Sequence, residues 1–139
     1  MFTLDHRLEK DSDFIADWGV FSLRQMVDDR FFWLLIIPRL PNISEWHDLS
    51  ADHLSELNRL LSYLSCNIKH IEKAEKINIG ALGNIVSQFH LHLIARHQGD
   101  AAWPGPVWGN GPAVAPTPAK LAARQQLVLD LLTDFQPLS

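Results

Sequence analysis

The segment Gln88–Ile94 has the sequence QFHLHLI and holds the side chains best suited to chemistry. Its strict alternation of polar and apolar residues predicts a half-buried β-strand with the polar groups on one face. On that face His90 and His92 would lie about 7 Å apart at their Cα atoms, with Gln88 pointing the same way. Two imidazoles and an amide at this spacing can hold one small anionic group or one metal ion.

Two kinds of site remain open for this polar face, a phosphate site and a metal site. A lone histidine on a strand is usually structural, but three polar groups at this density need partners. A His-x-His pair is a common metal grip, yet a closed site needs a third and a fourth ligand. Cys66 lies on a helix that is predicted to face the core, and His47, Asp48 and His97 could serve only if the fold happens to bring them close. We therefore rank metal binding second and predict no metal ligands.

Composition limits the classes of protein to which this face can belong. The chain has 139 residues and 47% hydrophobic content, enough for one domain with a single core. Lys and Arg total 12 against 16 acidic residues, and a net charge of -4 argues against a nucleic-acid binder. The longest apolar run, Phe31–Ile37, is far below the roughly 20 residues of a membrane-spanning helix. A single cysteine and no signal-peptide pattern predict a cytoplasmic protein that binds no membrane.

Two strands and a long helix are predicted before the histidine segment. Val20–Met26 and Phe31–Ile37 are typical of a hairpin, and the second strand, apolar on both faces, is predicted to be central. Ser50 is predicted to cap a helix over residues 51–70, in which Leu and Ile recur at steps of three and four. The alternating stretch from Ile77 is predicted to pair antiparallel with the histidine strand, which places that strand inside the sheet.

The last third of the chain changes character. Residues 101–118 contain five prolines and three glycines, which predicts an ordered loop or a tail. Thr117 and Pro118 are predicted to begin a final helix. Trp103 and Trp108 could stack on a base, but we favour a role in which they anchor the loop on the core or on a partner subunit. The expected fold is α+β, an antiparallel sheet of about five strands with the long helix packed on it and a C-terminal helix.

Residues 83–96, GNIVSQFHLHLIAR, resemble the signature of the histidine triad (HIT) family, in which three histidines alternate with apolar residues. The resemblance extends from about Phe14 to Asp100. It implies a HIT-like catalytic domain over residues 1–101, and residues 102–139 would complete the same single domain. It also implies a nucleotide hydrolase or transferase that works through a nucleotidyl-histidine intermediate. The nearest branch is that of the dinucleoside polyphosphate hydrolases, and the resemblance further implies a homodimer.

Carried over by position, the resemblance assigns His90 as nucleophile and His92 as the histidine that contacts the phosphate and the leaving group. Gln88 stands in place of the first histidine, and Asn84 stands where relatives carry a Gln that reaches the phosphates. His92 as an imidazolium, with these two amides, would meet the developing negative charge. Trp33 stands where many members have a Gly-His pair.

Three further residues complete the predicted substrate site. Asn78 lies in the matching strand, Asp28 could accept ribose hydroxyls, and Arg96 could clamp a phosphate. Turn chemistry alone also explains Asp28, and Arg96 could instead pair with Asp100 on the surface.

The predicted function is cleavage of a nucleoside polyphosphate or a nucleoside phosphate conjugate, such as a diadenosine polyphosphate. No cofactor is required, although magnesium can accompany the phosphates as a counterion. Two alternatives stay open: a nucleotide-binding module with reduced or no turnover, and a metal-dependent hydrolase that uses the His-x-His pair.

Overall fold

Five antiparallel strands form one sheet in the computed structural model, which describes residues 1–138. The elements along the chain are α1 His6–Asp11, β1 Ser12–Trp18, β2 Phe21–Met26, β3 Phe32–Pro38, α2 Ala51–Ile71, β4 Lys76–Gly80, β5 Leu91–Arg96 and α3 Pro118–Thr133. The strand order across the sheet is β1-β2-β3-β5-β4, so the predicted α+β fold with about five antiparallel strands is confirmed. Within residues 1–138, no helix is long and apolar enough to cross a membrane.

The predicted hairpin consists of β2 and β3, which pair antiparallel from Phe21 opposite Pro38 to Gln25 opposite Leu34. All seven residues of β3 are buried, and the strand lies third of five, which confirms its central position. On its other side β3 pairs with β5, and β5 pairs in turn with β4. The histidine strand therefore lies inside the sheet, as the sequence predicted.

Helix α2 begins where the sequence indicates, because the Ser50 side chain accepts a hydrogen bond from the backbone N–H of His53. Its buried stripe includes Leu57, Leu64 and Ile68. The helix that carries Cys66 faces the core as predicted, and the Cys66 thiol itself is exposed. Two residues after Leu64, Cys66 is turned by about 200° around the helix and points away from the stripe.

The sheet has two differently covered sides, which we call the helical face and the loop face. On the helical face, side chains such as Leu23, Leu34 and Leu93 join α2 and α3 in the main hydrophobic core. On the loop face, the alternate side chains are covered by the N-terminal segment, by residues 81–90 and by residues 101–117. We call residues 101–117 the strap. The periodicity of two along each strand thus sends neighbouring residues to different environments.

The histidine strand starts at Leu91, three residues later than the alternation predicts. The backbone N–H of Phe89 leaves the sheet and donates to the carbonyl of Ile43. The Gln88 side chain accepts from the backbone N–H of Asp5 at 2.9 Å and donates to the carbonyl of Thr3 at 2.8 Å. These long-range partners hold the chain away from the ladder, which sequence alternation cannot reveal.

The last helix begins as predicted, because the Thr117 side chain accepts from the backbone N–H of Lys120 and Pro118 occupies the first helical position. Val128 and Leu132 of α3 belong to the main hydrophobic core on the helical face. The strap that precedes α3 crosses to the loop face, where it forms one wall of a cavity.

Candidate active site

The loop face contains a cavity of about 680 Å³ that is lined in part by both histidines. Much of its lining is apolar, contributed by Leu8, Met26, Leu35, Val86, Val107 and Trp108. Four charged side chains also line it, Arg7, Asp11, Asp28 and Arg30. A concave, mainly apolar wall with a few convergent polar groups is the usual form of a small-molecule site.

His90 lies just before β5 and is buried, with 8% of its surface exposed. Its Nδ1 atom lies 2.7 Å from the carbonyl oxygen of Gln88. A carbonyl oxygen can only accept, so Nδ1 carries the hydrogen and donates it. In the neutral ring Nε2 then holds a lone pair, which is the form that an attacking imidazole requires.

His92 lies within β5, and its ring makes the opposite kind of hydrogen bond. Its Nδ1 atom lies 2.9 Å from Nε1 of Trp33. An indole N–H can only donate, so Nδ1 of His92 accepts and the hydrogen of the neutral ring sits on Nε2. Burial, with a smaller contribution from the nearby His90, lowers the pKa of His92 to about 3. The expectation that His92 acts as an imidazolium is therefore wrong, because the ring is neutral at physiological pH.

The two rings lie close together, with centroids 5.0 Å apart and planes at 65°. One ring can supply a lone pair and the other a hydrogen-bond donor. Such a pair can attack an electrophile and hold an anionic oxygen beside it.

The strap contributes one of its two tryptophans to this wall. Trp108 meets the His92 ring edge to face at 5.3 Å. It also covers Gly80, where an added Cβ would lie 2.9 Å from the indole. Because Gly80 is paired with His92 in the sheet, the absence of a side chain there lets the indole reach the site. Trp103 lies elsewhere, with its ring 5.8 Å from the Arg96 guanidinium carbon.

Of the predicted substrate-binding residues, the structure brings Asn84 and Asp28 to the cavity. Asn84 is exposed at its edge. Asp28 is 2% exposed, and its carboxylate accepts from the side chain and backbone of Arg30 and from the backbone N–H of Val114. Burial raises the pKa of Asp28, but these hydrogen bonds outweigh it and leave the pKa below its usual value.

Gln88, Asn78 and Arg96 do not line the cavity. Gln88 holds the N-terminal segment, and the Asn78 side-chain oxygen accepts from Arg96 Nη1 at 2.8 Å. The pairing of Arg96 with Asp100 was expected on the surface, but both side chains are buried, with 2% and 7% of their surface exposed. Burial raises the pKa of Asp100, yet hydrogen bonds from Arg96 and from nearby backbone N–H groups hold it well below the usual range.

Trp33 is the residue whose contact with the site sequence reasoning missed. In the sequence it is distinguished only as a difference from the family at one strand position, and its hydrogen bond spans 59 residues of chain. The strand register explains the contact: Trp33 is opposite Ile94 and Leu35 is opposite His92, so Trp33 and His92 are diagonal neighbours on one face. This register joins distant strands and has no signature in the local sequence.

The turn between β2 and β3 ties the strap and α3 to the site. Arg30 Nη1 donates to the carbonyl of Asn110 at 2.6 Å, and the backbone N–H of Asp29 donates to the carbonyl of Val114 at 2.6 Å. Arg124 of α3 donates through Nη1 to the carbonyl of Asp28 at 2.9 Å. This turn therefore fixes the far wall of the cavity.

Metal ligation was the alternative chemistry for the two histidines. Among residues 1–138, no group of three or more His, Cys, Asp or Glu side chains is arranged to hold a metal ion.

Comparison with known proteins points in one direction. A model of the HIT domain family matches residues 7–99. A histidine triad (HIT) protein from Sinorhizobium meliloti 1021 is 40% identical, with a TM-score of 0.90 over 95% of this chain and 98% of that one. Histidine triad proteins from Marinobacter aquaeolei VT8 and Bradyrhizobium japonicum are each 36% identical, with TM-scores of 0.91 and 0.89. They cover 95% and 93% of this chain and 96% of their own. A search of curated proteins finds no match.

Proposed function

The chain belongs to the histidine triad (HIT) family, whose members are generally hydrolases or transferases of nucleotides, and from that premise we propose its reaction. It cleaves a nucleoside polyphosphate or a nucleoside phosphate conjugate, such as a diadenosine polyphosphate. The reaction passes through a nucleotidyl-histidine on His90. The observation that carries this proposal is the pair of opposite hydrogen bonds, His90 Nδ1 to the Gln88 carbonyl and Trp33 to His92 Nδ1.

In the first step the Nε2 lone pair of His90 forms a bond to the α-phosphorus. The bond from phosphorus to the leaving oxygen or nitrogen breaks, and the leaving group keeps that electron pair. A water molecule then attacks the phosphorus and releases one proton to the solvent, while the P–N bond breaks and its electron pair returns to Nε2. His90 is thereby regenerated, with a nucleoside monophosphate as product. Two displacements replace one difficult one, which is the advantage of covalent catalysis.

Charge on the phosphoryl oxygens is met by neutral donors rather than by a cation. The Nε2–H of His92 is one donor, and the exposed amide of Asn84 at the cavity edge is a second. Donors fixed in a partly dried cavity stabilise developing charge without reorganising during the reaction. The base or other organic part of the substrate fits the apolar wall that includes Met26 and Trp108.

The other predicted binding residues have partners within the protein. Asp28 faces the cavity and could still accept a ribose hydroxyl beside its bond to Arg30. Gln88, Asn78 and Arg96 support the site from outside, because their polar atoms hold the N-terminal segment and the Asp100 loop. The reaction requires no cofactor, and magnesium can accompany the substrate phosphates as a counterion.

We further propose that the protein is a cytoplasmic homodimer. β4 is an edge strand, and its Ile79 side chain is 47% exposed, as suits a strand that pairs with a second copy. Sedimentation equilibrium tests this assembly, since a monomer at micromolar concentration would contradict it.

The decisive experiment is a single-turnover assay across dinucleoside polyphosphates and nucleoside phosphoramidates, with intact-protein mass measured after acid-free quenching. We expect a transient mass increase equal to one nucleotidyl group. The adduct should be absent in His90→Ala. A wild-type protein that binds nucleotides tightly but forms no adduct would favour the binding module instead.

A further inference from the structure

The proposed reaction uses the Nε2–H of His92 as a donor, and the residue that fixes this hydrogen is Trp33. Trp33 Nε1 lies 2.9 Å from His92 Nδ1, and both side chains are buried, with 7% and 6% of their surface exposed. We propose that Trp33 is a positioning residue that holds His92 in its Nε2–H tautomer, so that the ring offers the cavity a neutral donor. The catalytic consequence rests on the proposed function, whereas the tautomer does not.

The sheet fixes the indole before any ligand binds. Trp33 lies on the central strand β3, paired with β5, and its ring meets Phe31 edge to face at 6.1 Å. It belongs to a small apolar cluster that also contains Ile94 and Val107. An indole held on three sides keeps its N–H aimed at His92 without further loss of conformational entropy.

Other groups around His92 do not compete for the Nδ1 atom. His90 contacts the ring from the preceding loop, and Trp108 contacts it from the strap, each through ring packing. The charged residues of the same cavity are Arg7, Asp11, Asp28 and Arg30. Arg7 is paired with Asp5 and Arg30 with Asp28, so neither pair supplies a hydrogen bond to the imidazole.

The tautomer matters because the two rings must do different things. With its hydrogen on Nε2, His92 can donate to a phosphoryl oxygen while His90 supplies the lone pair. With its hydrogen on Nδ1, His92 would place one N–H donor against another, the Trp33 N–H. Its unprotonated Nε2 would then point a lone pair at the anionic substrate, which is repulsive. Loss of the indole donor should therefore reduce the stabilisation of the transition state more than it reduces the affinity for the substrate.

Three variants separate this role from simple packing. Trp33→Phe keeps an aromatic ring but removes the donor. Trp33→His places a nitrogen at the same position that can donate when it carries the ring hydrogen, because Nε2 of imidazole and Nε1 of indole are equally distant from Cβ in their five-membered rings. Trp108→Phe is the matched control, since it changes a second tryptophan that touches His92 without a hydrogen bond to it.

The direct readout is the ¹⁵N spectrum of the histidine rings, with His92 assigned by the signals lost in His92→Asn. In the wild type and in Trp108→Phe we expect Nδ1 of His92 to resonate as an unprotonated nitrogen from about pH 5 to about pH 8. In Trp33→Phe a measurable fraction should carry a hydrogen on Nδ1, and Trp33→His should remove that fraction. A wild type already protonated on Nδ1, or identical spectra for the wild type and Trp33→Phe, would overturn the proposal.

Kinetics then test the catalytic consequence. Trp33→Phe should lower kcat by about 10-fold to 100-fold with KM changed less than about threefold, and Trp33→His should recover most of kcat. A changed tautomer with an unchanged kcat would refute the positioning role. If the wild type turns over no nucleotide, the proposed function fails, while the ¹⁵N spectra still decide the tautomer.

Discussion

The helical face and the loop face of the sheet are built from the same strands but differ in what covers them. α2 and α3 seal the helical face with a continuous apolar core. The loop face is covered by irregular segments, which leave a cavity of about 680 Å³. Helices form the hydrogen bonds of their backbone N–H and C=O groups internally, so their side chains can pack closely on a sheet. The backbone groups of loops need hydrogen-bond partners outside the loop, and loops therefore pack less closely and leave cavities.

This difference decides where polar side chains can be placed. Along β5, Leu91 and Leu93 enter the main core, while His92 and Arg96 lie on the other side. Each of those two polar residues is buried with a specific partner, Trp33 for His92 and Asp100 for Arg96. The helical face therefore carries mainly stability, and the loop face carries mainly chemistry. Substitutions on the helical face should lower the free energy of unfolding, whereas substitutions of the loop-face histidines should lower turnover.

The largest effect is expected on the helical face, for Leu64→Ala. Leu64 is fully buried under the sheet, so the variant should lose about 2–5 kcal/mol of unfolding free energy through lost burial and a cavity. Urea denaturation measures it, with Cys66→Ala on the exposed side of the same helix as a control expected within about 0.5 kcal/mol. Turnover per folded molecule should stay at the wild-type level, and a selective loss of turnover would break the division between faces.

His90→Ala should show the reverse pattern on the loop face. We expect at least about a hundredfold loss of turnover, or about 2.7 kcal/mol in the barrier, because the attacking nitrogen is gone. Nucleotide binding, measured by calorimetry, should remain detectable. The exposed His70 supplies the control His70→Ala, which should keep full activity. Equal turnover in His90→Ala and the wild type would end the nucleophile assignment.

Gln88→His tests whether Gln88 acts in the reaction or only links the segment that carries the histidines to the N-terminal segment. We expect a rate change of no more than about tenfold, near 1.4 kcal/mol, because Gln88 supports the loop and does not line the cavity. Single-turnover rates measure it beside the wild type. If the natural protein is a binding module without turnover, the new imidazole should instead raise the rate by orders of magnitude.

Metal removal should have the smallest effect. Exhaustive chelation should leave turnover within about threefold, since the barrier is lowered by covalent attack and by fixed donors rather than by a Lewis acid. Activity is assayed before and after chelation with a magnesium-free substrate. Loss of activity that only zinc or manganese restores would move the metal-dependent hydrolase to first place.

Sequence periodicity was enough to predict the elements of the helical face. The stripe of α2, the caps Ser50 and Thr117, and the buried strand β3 are all local patterns, and the structure confirms each. The exposed Cys66 agrees with this pattern, because it lies on the same helix outside the apolar stripe.

The loop face was predicted less completely because its contacts join distant parts of the chain. Alternation placed His90 and His92 on one side, but the start of β5 depends on the bond from Phe89 to Ile43. Neither the link of Gln88 to Asp5 nor that of Trp33 to His92 has a local signature. Tautomers in particular depend on which atom lies opposite each nitrogen, and no sequence pattern contains that information.

The turn between β2 and β3 has a further consequence for how the molecule reaches this form. It holds the strap and α3 through bonds that span 80 to 96 residues, from Arg30 to Asn110 and from Asp28 to Arg124. Contacts of such long range incur a large loop-closure entropy and slow a folding reaction. In refolding, the paired strands and α2 can form from nearer neighbours, so the ability to bind a nucleotide should return later than secondary structure does.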